Sequence, residues 1–361
     1  MKKVILILSL SFLFSCSGTK DEKLQKKFHQ NWNDYFEKSF SDSQAIEVFV
    51  VTNRKSKNNE FSCNADEFGV NRDQALKYGS CKVNVPKNHT IGEINLAKDS
   101  RQSSNEYFKI LESKSFKEDE LIKNIKESKR TALVFVHGFN VKYQEALLRA
   151  AQIAYDLKYQ GPIILFTWPA GASEGFFEES MINKTYENNL ANARGSVSLF
   201  ENFLELFRKN NLQINLAVHS MGHQVVLPAL KKQGDYDKTL INELILNAPD
   251  FDTKEFSKLV KNIKKITNRI TLYCSHADKA IIASKNFNNG ERLGACVSID
   301  NIDSINVGLI DDSTLGLGHG YYSSRAVLND VFQVLIGIEA EKRLFIRKSE
   351  VNSSEKYFLR K

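Results

Sequence analysis

Val218-His219-Ser220-Met221-Gly222 comes directly after the apolar run Ile214-Asn215-Leu216-Ala217-Val218 and ahead of a helix-like segment. This reads as strand, sharp turn and helix, with Ser220 at the apex. Such a turn strains the backbone so that the hydroxyl stands clear of the sheet, and the following helix aims free N–H groups at the same spot. A serine hydroxyl is a poor nucleophile unless an imidazole takes its proton, and an acid must orient that imidazole. In this arrangement the partners follow in the order serine, then Asp or Glu, then His. The chain has seven histidines, at 29, 89, 137, 219, 223, 276 and 319. The order points to His319, in the flexible loop Gly316-Leu317-Gly318-His319-Gly320, whose glycines permit positive dihedrals and close approach.

Two carboxylates end expected strands. Asp250 follows Leu244-Ile245-Leu246-Asn247-Ala248-Pro249, and Asp278 follows the run from Arg269 to Ala277. Either could instead be a helix N-cap. Asp250 lies beside Asp252 and Thr253, which could cap a helix over 254–266 without catalytic work. Asp278 is therefore the expected acid. The buried-strand run Leu133-Val134-Phe135-Val136 ends in His137-Gly138-Phe139-Asn140. The Phe139 and Met221 N–H groups would share the negative charge of a tetrahedral intermediate, each contributing roughly 3 to 4 kcal/mol. His137 is expected to tie its loop down by hydrogen bonds.

Several segments occur jointly: Phe135-Val136-His137-Gly138-Phe139-Asn140, a helix over 146–157, Phe166-Thr167-Trp168-Pro169, His219-Ser220-Met221-Gly222, Ala248-Pro249-Asp250 and Asp278-Lys279-Ala280. Upstream stand Val51-Thr52-Asn53-Arg54, Tyr78-Gly79-Ser80 and Val85-Pro86 with His89. Over residues 46–322 the set resembles a poorly characterised bacterial family of alpha/beta hydrolases, related broadly to the lipase and esterase superfamily. The resemblance implies the fold and a serine-hydrolase site, but no substrate. Among such hydrolases the acid commonly sits one strand beyond the strand that follows the elbow, which again favours Asp278. The sequence departs from the pattern at Val218, where glycine, or alanine in this family, is usual; a β-branched residue there could open the elbow or narrow the pocket. Pro228 falls inside the following helix, where it removes a hydrogen bond.

The amino terminus carries Lys2-Lys3 and an apolar core, Val4 to Phe14, too short to span a bilayer as a mature helix. It reads as a signal peptide over residues 1–15. Leu13-Phe14-Ser15-Cys16 resembles a bacterial lipobox, which implies an exported lipoprotein acylated at Cys16 and anchored to a membrane of the cell envelope. Four cysteines then remain, at 63, 81, 274 and 296, and four allow three pairings. Sequence proximity suggests 63–81 and 274–296, with a free buried Cys274 as the competing reading. No cofactor is implied and no metal-ligand spacing is present; His276-Ala277-Asp278 is a lone pair of potential ligands. The net charge of +7 is spread thinly over mixed-sign runs such as 114–129, which excludes the single basic stripe of a nucleic-acid binder.

The expected fold is α/β, an alpha/beta-hydrolase fold with a mostly parallel doubly wound sheet and an amino-terminal strand extension. Residues 16–44 form a lipidated tether with a short helix over 22–40, and residues 45–130 are strands and an insertion packed on the core. Residues 55–77 read as irregular. The core spans 131–346, with strands at 133–136, 163–166, 214–218, 244–246 and 270–274. A final helix carries Val327, Val331, Leu335 and Ile338, and 347–361 is a charged, fraying tail. The loop 168–189, with Phe176, Phe177 and Met181, is a candidate lid over a substrate. Three functions fit: an esterase, lipase or thioesterase on small or lipid-like acyl substrates; a peptidase or amidase on the same triad; and a catalytically inactive binding protein built on a hydrolase shell.

Overall fold

The computed structural model describes residues 45–360 except 98, 100, 173–178, 235–237, 298, 301, 311–318 and 351–353, and leaves out the side chains of 179–181. The signal segment, Cys16, the 22–40 helix, Phe176, Phe177 and the Gly316-Leu317-Gly318 stretch lie outside these residues, as does the Met181 side chain.

Five short runs are buried or nearly so along their length: β4 (Ala132–Val136), β5 (Ile163–Thr167), β6 (Ile214–His219), β7 (Ile241–Asn247) and β8 (Thr267–Cys274). Continuous burial is what a parallel sheet covered on both faces requires. Alternate residues sort to opposite layers. Leu133, Phe135, Ala217, Ile245 and Tyr273 pack on one side with helices α2 (Tyr143–Asp156) and α8 (Arg325–Leu335). Val134, Val136, Leu216, Val218, Leu246 and Leu272 face α1 (Glu118–Ser128), α4 (Val197–Lys209), α5 (His223–Gln233) and α6 (Thr253–Lys265) on the other. Phe200, Phe203 and Phe207 line one face of α4, and the first two close on Phe166 with ring centroids 4.7 and 5.5 Å away. Such aromatic packing adds to the burial of area. Two more helices flank the carboxyl ends of the strands: α3 (Glu179–Arg194) and α7 (Lys279–Asn288).

The sheet has eleven strands in the order β10-β11-β9-β8-β7-β6-β4-β5-β1-β2-β3. It is completed by β1 (Ala45–Ser56), β2 (Phe68–Asn84), β3 (Lys109–Phe116), β9 (Asp303–Asn306), β10 (Ile346–Lys348) and β11 (Tyr357–Leu359). The pairs from β1 through β9, and β9 with β11, are parallel, whereas β2 runs antiparallel to β1 and β3, and β10 antiparallel to β11. From β4 the chain goes to β5 on one side and returns to β6 on the other. That reversal opens a crevice beyond the carboxyl ends of β4 and β6, where open α/β sheets place their ligands.

Four segments differ from expectation. Residues 68–77 are strand, not irregular: β2 runs for 17 residues and pairs with β1 as far as Ser56↔Phe68. Its first half is largely exposed, so continued hairpin pairing holds it without an alternating apolar pattern. Residues 179–189 are helical, because Ile182, Tyr186, Asn189, Leu190 and Ala193 follow a helical spacing within α3. The end of the chain does not fray at Arg347. There β10 and β11 extend the sheet, and Tyr357 and Leu359 are 1% and 0% exposed. The short strands IRK and YFL sit among charges, which hides them from pattern reading. The final helix ends at Leu335, short of Ile338.

Burial of Leu359 gives a direct test. Leu359→Ala should lower unfolding free energy by about 2 to 3 kcal/mol in urea titrations, as for a buried aliphatic truncation. A frayed tail would lose less than about 0.5 kcal/mol.

Candidate active site

Ser220 sits at the junction of β6 and α5 with φ +51°, a left-handed conformation that costs a side-chain-bearing residue about 1 to 3 kcal/mol. The strain is held by close packing from two sides. A Cβ on Gly138 would lie 2.7 Å from the Ser220 Cβ, and one on Gly222 would lie 2.5 Å from the His137 carbonyl oxygen. Both positions therefore demand glycine, and the elbow is clamped against the loop that follows β4. The Ser220 carbonyl accepts from His223 Nδ1 at 2.7 Å and from the Asp250 N–H at 3.3 Å. Val218 pairs with Val136 inside the sheet and is fully buried on the α4 and α5 side, and the turn keeps its shape. Pro228 lies within α5, which continues through it.

Beyond β8, Asp278 is fully buried and divides its carboxylate between two tasks. Oδ1 caps α7 by accepting from the Ala280 and Ile281 N–H groups, both at 3.0 Å. Oδ2 lies 2.7 Å from His319 Nδ1 and accepts from the Tyr321 hydroxyl at 3.3 Å. His219 reaches the same loop: its Nε2 is 3.1 Å from the His319 carbonyl oxygen, and the two rings are 4.9 Å apart. The residue before Ser220 thus holds the backbone of His319. Asp250 is committed elsewhere. It accepts from the Tyr186 hydroxyl at 2.8 Å and from Ser284, with Arg292 Nε at 3.6 Å. The structure brings His319 to Asp278 and not to Asp250. The helix cap expected near Asp250 is made by Asp252, which accepts from the Glu255 N–H at 2.9 Å.

The loop after β4 is fixed by a buried cation. Arg54, 1% exposed, donates to the carbonyls of Gly69 at 3.1 Å, Val141 at 2.8 Å and Ala170 at 2.8 Å, and to Thr167 Oγ1 at 2.9 Å. Burial lowers its pKa to about 9, which leaves it charged near neutrality. His137 Nε2 faces Thr167 Oγ1 at 2.8 Å and Arg54 Nη2 at 3.4 Å, so it must be the unprotonated nitrogen. Nδ1–H then donates to the Gly138 carbonyl at 3.1 Å, and Trp168 stacks on the ring. Burial, then the Arg54 charge, push the His137 pKa down to about 3, a structural role. Asn189 of α3 completes the frame. Its Oδ1 accepts from the N–H groups of Asn140 and Gly171, and its Nδ2 donates to the carbonyls of Gly171 and Thr185.

Arg54, His219, Tyr321 and Asn189 went unassigned in the sequence. Arg54 stood only in a stretch carrying a resemblance, and nothing local marks a buried arginine whose partners are distant carbonyls. His219 offered one signal, its adjacency to Ser220.

Two disulfides join Cys63 to Cys81 and Cys274 to Cys296, so Cys274 is buried but not free. The second encloses Asp278 and α7. Among the described residues one trio, His276, Cys296 and Glu355, brings three potential metal ligands together, and the disulfide takes its only sulfur. His276 turns to Glu355 at 3.1 Å while Asp278 faces His319, so the two are not a ligand pair.

The histidines set an acid dependence. Burial also holds His223 at about 3 and, with the His319 charge, keeps His219 well below its usual range. His137 and His223 therefore stay neutral where an unfolded chain would take up protons near pH 6.5. Between those values the unfolded state binds more protons, so stability falls as pH falls. Urea midpoints should decline from about pH 7 to about pH 4, each histidine contributing up to about 1.4 kcal/mol per pH unit. A level profile would contradict the neutral assignment.

Comparison with curated proteins finds no match to the chain. Among the described residues no helix is long and apolar enough to cross a membrane. A family model described as an alpha/beta hydrolase of unknown function (DUF900) matches residues 113–338, well over half of the chain. That span takes in the clamped elbow, the loop after β4 and the His319–Asp278 pair, and the chain belongs to this alpha/beta hydrolase family.

Proposed function

We propose that the protein is a serine hydrolase that cleaves acyl esters or thioesters through an acyl-enzyme on Ser220. The observation that carries the reading is the His319 Nδ1–Asp278 Oδ2 contact of 2.7 Å, made by a carboxylate whose other oxygen is locked by a helix N-terminus. A carboxylate accepts, so Nδ1 carries the proton and Nε2 is the nitrogen left to act as base. In the proposed cycle His319 Nε2 takes the Ser220 proton as Oγ attacks the carbonyl carbon. The Phe139 and Met221 N–H groups receive the oxyanion, and His319 returns the proton to the leaving group. Water then repeats the sequence to release the acid. Asp278 keeps the tautomer in place and stabilises the imidazolium, and its buried position strengthens that interaction.

Acyl esters or thioesters are the first reading and a peptidase or amidase on the same triad is the second, because triad geometry does not separate ester from amide. Ser220→Ala should abolish labelling by a fluorophosphonate and lower turnover by on the order of 10⁴ to 10⁶. Asp278→Asn should cost roughly 10⁴, because the amide reverses the hydrogen bond to His319. Asp250→Asn should cost far less, acting through Tyr186 and Ser284. If Ser220→Ala labels as well as the parent, Ser220 is not the nucleophile, whereas a parent that neither labels nor turns over esters is a binding protein on a hydrolase shell. If the two aspartate variants exchange ranks, the acid is Asp250.

We also propose that the mature protein begins at an acylated Cys16 and is held to a membrane of the cell envelope. The support is the basic start, the short apolar core and the Leu13-Phe14-Ser15-Cys16 run. Cys16→Ala should shift the protein from the membrane to the soluble fraction, or block processing, while the purified domain keeps its turnover. Mass spectrometry showing an unmodified Cys16, or a mature terminus elsewhere, would overturn this.

A further inference from the structure

Three aromatic rings run outward from the loop after β4. Phe139 meets Tyr186 of α3 with centroids 5.7 Å apart, and Tyr186 meets Phe287 of α7 at 4.6 Å. Tyr186 offers no polar group of its own. Its hydroxyl is taken by Asp250 at 2.8 Å, Ser284 at 3.0 Å and Asn288 at 2.9 Å, and it is only 9% exposed. It acts as a spacer that holds the outer two rings. Phe287 is 37% exposed, and Ile182, one helical turn before Tyr186 on the same face of α3, is 57% exposed. Apolar side chains are thus left uncovered, and Phe287 is joined through Tyr186 to Phe139 in the loop that clamps the elbow.

The direction of this wall relative to His319 matters. Phe139 packs with the layer that includes Tyr186, whereas Tyr321 and Tyr322, which follow His319, pack in the layer on the other side of the sheet. A base that protonates the leaving group must stand on the leaving-group side of the scissile carbonyl. On that mechanism the acyl substituent points away from the leaving group, and Phe139 stands in the layer across the sheet from Tyr321 and Tyr322. We propose, resting on the serine-hydrolase reading, that Phe139, Tyr186, Phe287 and Ile182 seat the acyl group of the substrate, and that this group is an aliphatic chain longer than acetyl. A polar or charged acyl group would find no hydrogen-bond partner along these side chains, since the Tyr186 hydroxyl is already occupied.

The test is a nitrophenyl ester series of acetate, butyrate, hexanoate and octanoate, with a hemisuccinate as the charged acyl control. Each added methylene should raise kcat/KM by about two- to fourfold until the wall is covered, and the hemisuccinate should fall below butyrate. Phe287→Ser and Ile182→Ser should each flatten the octanoate-to-acetate ratio, read within one variant so that any general loss cancels. Phe287→Leu, which keeps the apolar surface, should restore the slope. Active sites are counted with an ethyl fluorophosphonate, and matching melting temperatures show that the variants fold. Full labelling with a flat series in the parent overturns the acyl-seat proposal and leaves the serine hydrolase standing. A slope that survives both serine substitutions overturns it equally. No labelling and no ester turnover would remove the hydrolase reading and this proposal with it.

Discussion

The arrangement at the crevice depends on a serine held in a backbone conformation that it would leave if released. The left-handed Ser220 is kept because the loop after β4 presses on it, with Gly138 against its Cβ and Gly222 against the His137 carbonyl. Any side chain at those glycines would drive the two loops apart, and the turn would relax. The sheet order makes the clamp possible. Because β4 lies between β5 and β6, the chain segments leaving β4 and β6 are neighbours at the same end of the sheet and can press on each other.

The surroundings of this clamp are polar yet rigid, and their charge is arranged unusually. Arg54 brings a full positive charge into the interior and spreads it over three carbonyls, one at the start of β2 and two in the loops after β4 and β5, where a carboxylate partner would have neutralised it. A charged donor to carbonyls is stronger than a neutral one, and removing it would strand all three acceptors. The same charge, with burial, keeps His137 neutral and so fixes which of its nitrogens accepts. Burial holds His219 and His223 low as well, so three imidazoles around Ser220 stay neutral near neutrality. His319 differs from them in meeting a carboxylate, Asp278, at its Nδ1.

What the sequence revealed follows the range of the forces involved. The elbow was legible because strand, turn and helix are encoded within ten residues of Ser220. The preference for Asp278 over Asp250 also rested on local context, and the contact of Asp278 with His319 fits it. Arg54 was illegible because its partners lie up to 116 positions away. The first half of β2 and the β10–β11 hairpin were hidden for another reason. Their pairing is satisfied by backbone hydrogen bonds, with few apolar side chains to mark a buried face. In α3 the spacing was present, and the glycine-rich approach to it masked the start.

The placement of β1 beside β5 has a consequence for how the chain comes together in time. Val48 pairs with Ile163 and Arg54 binds the Ala170 carbonyl, so the first described strand cannot find its place until more than a hundred later residues exist. Closing so long a loop before any contact rewards it is slow. During synthesis the β1–β2 ribbon must wait with its future core face uncovered. The Cys63–Cys81 bond closes a span of only 18 residues and ties that ribbon to itself. In an oxidising compartment it can form early and shrink the set of wrong partners the waiting strand could sample. Arg54 can make its full set of bonds only once the start of β2 and the loops after β4 and β5 have all arrived.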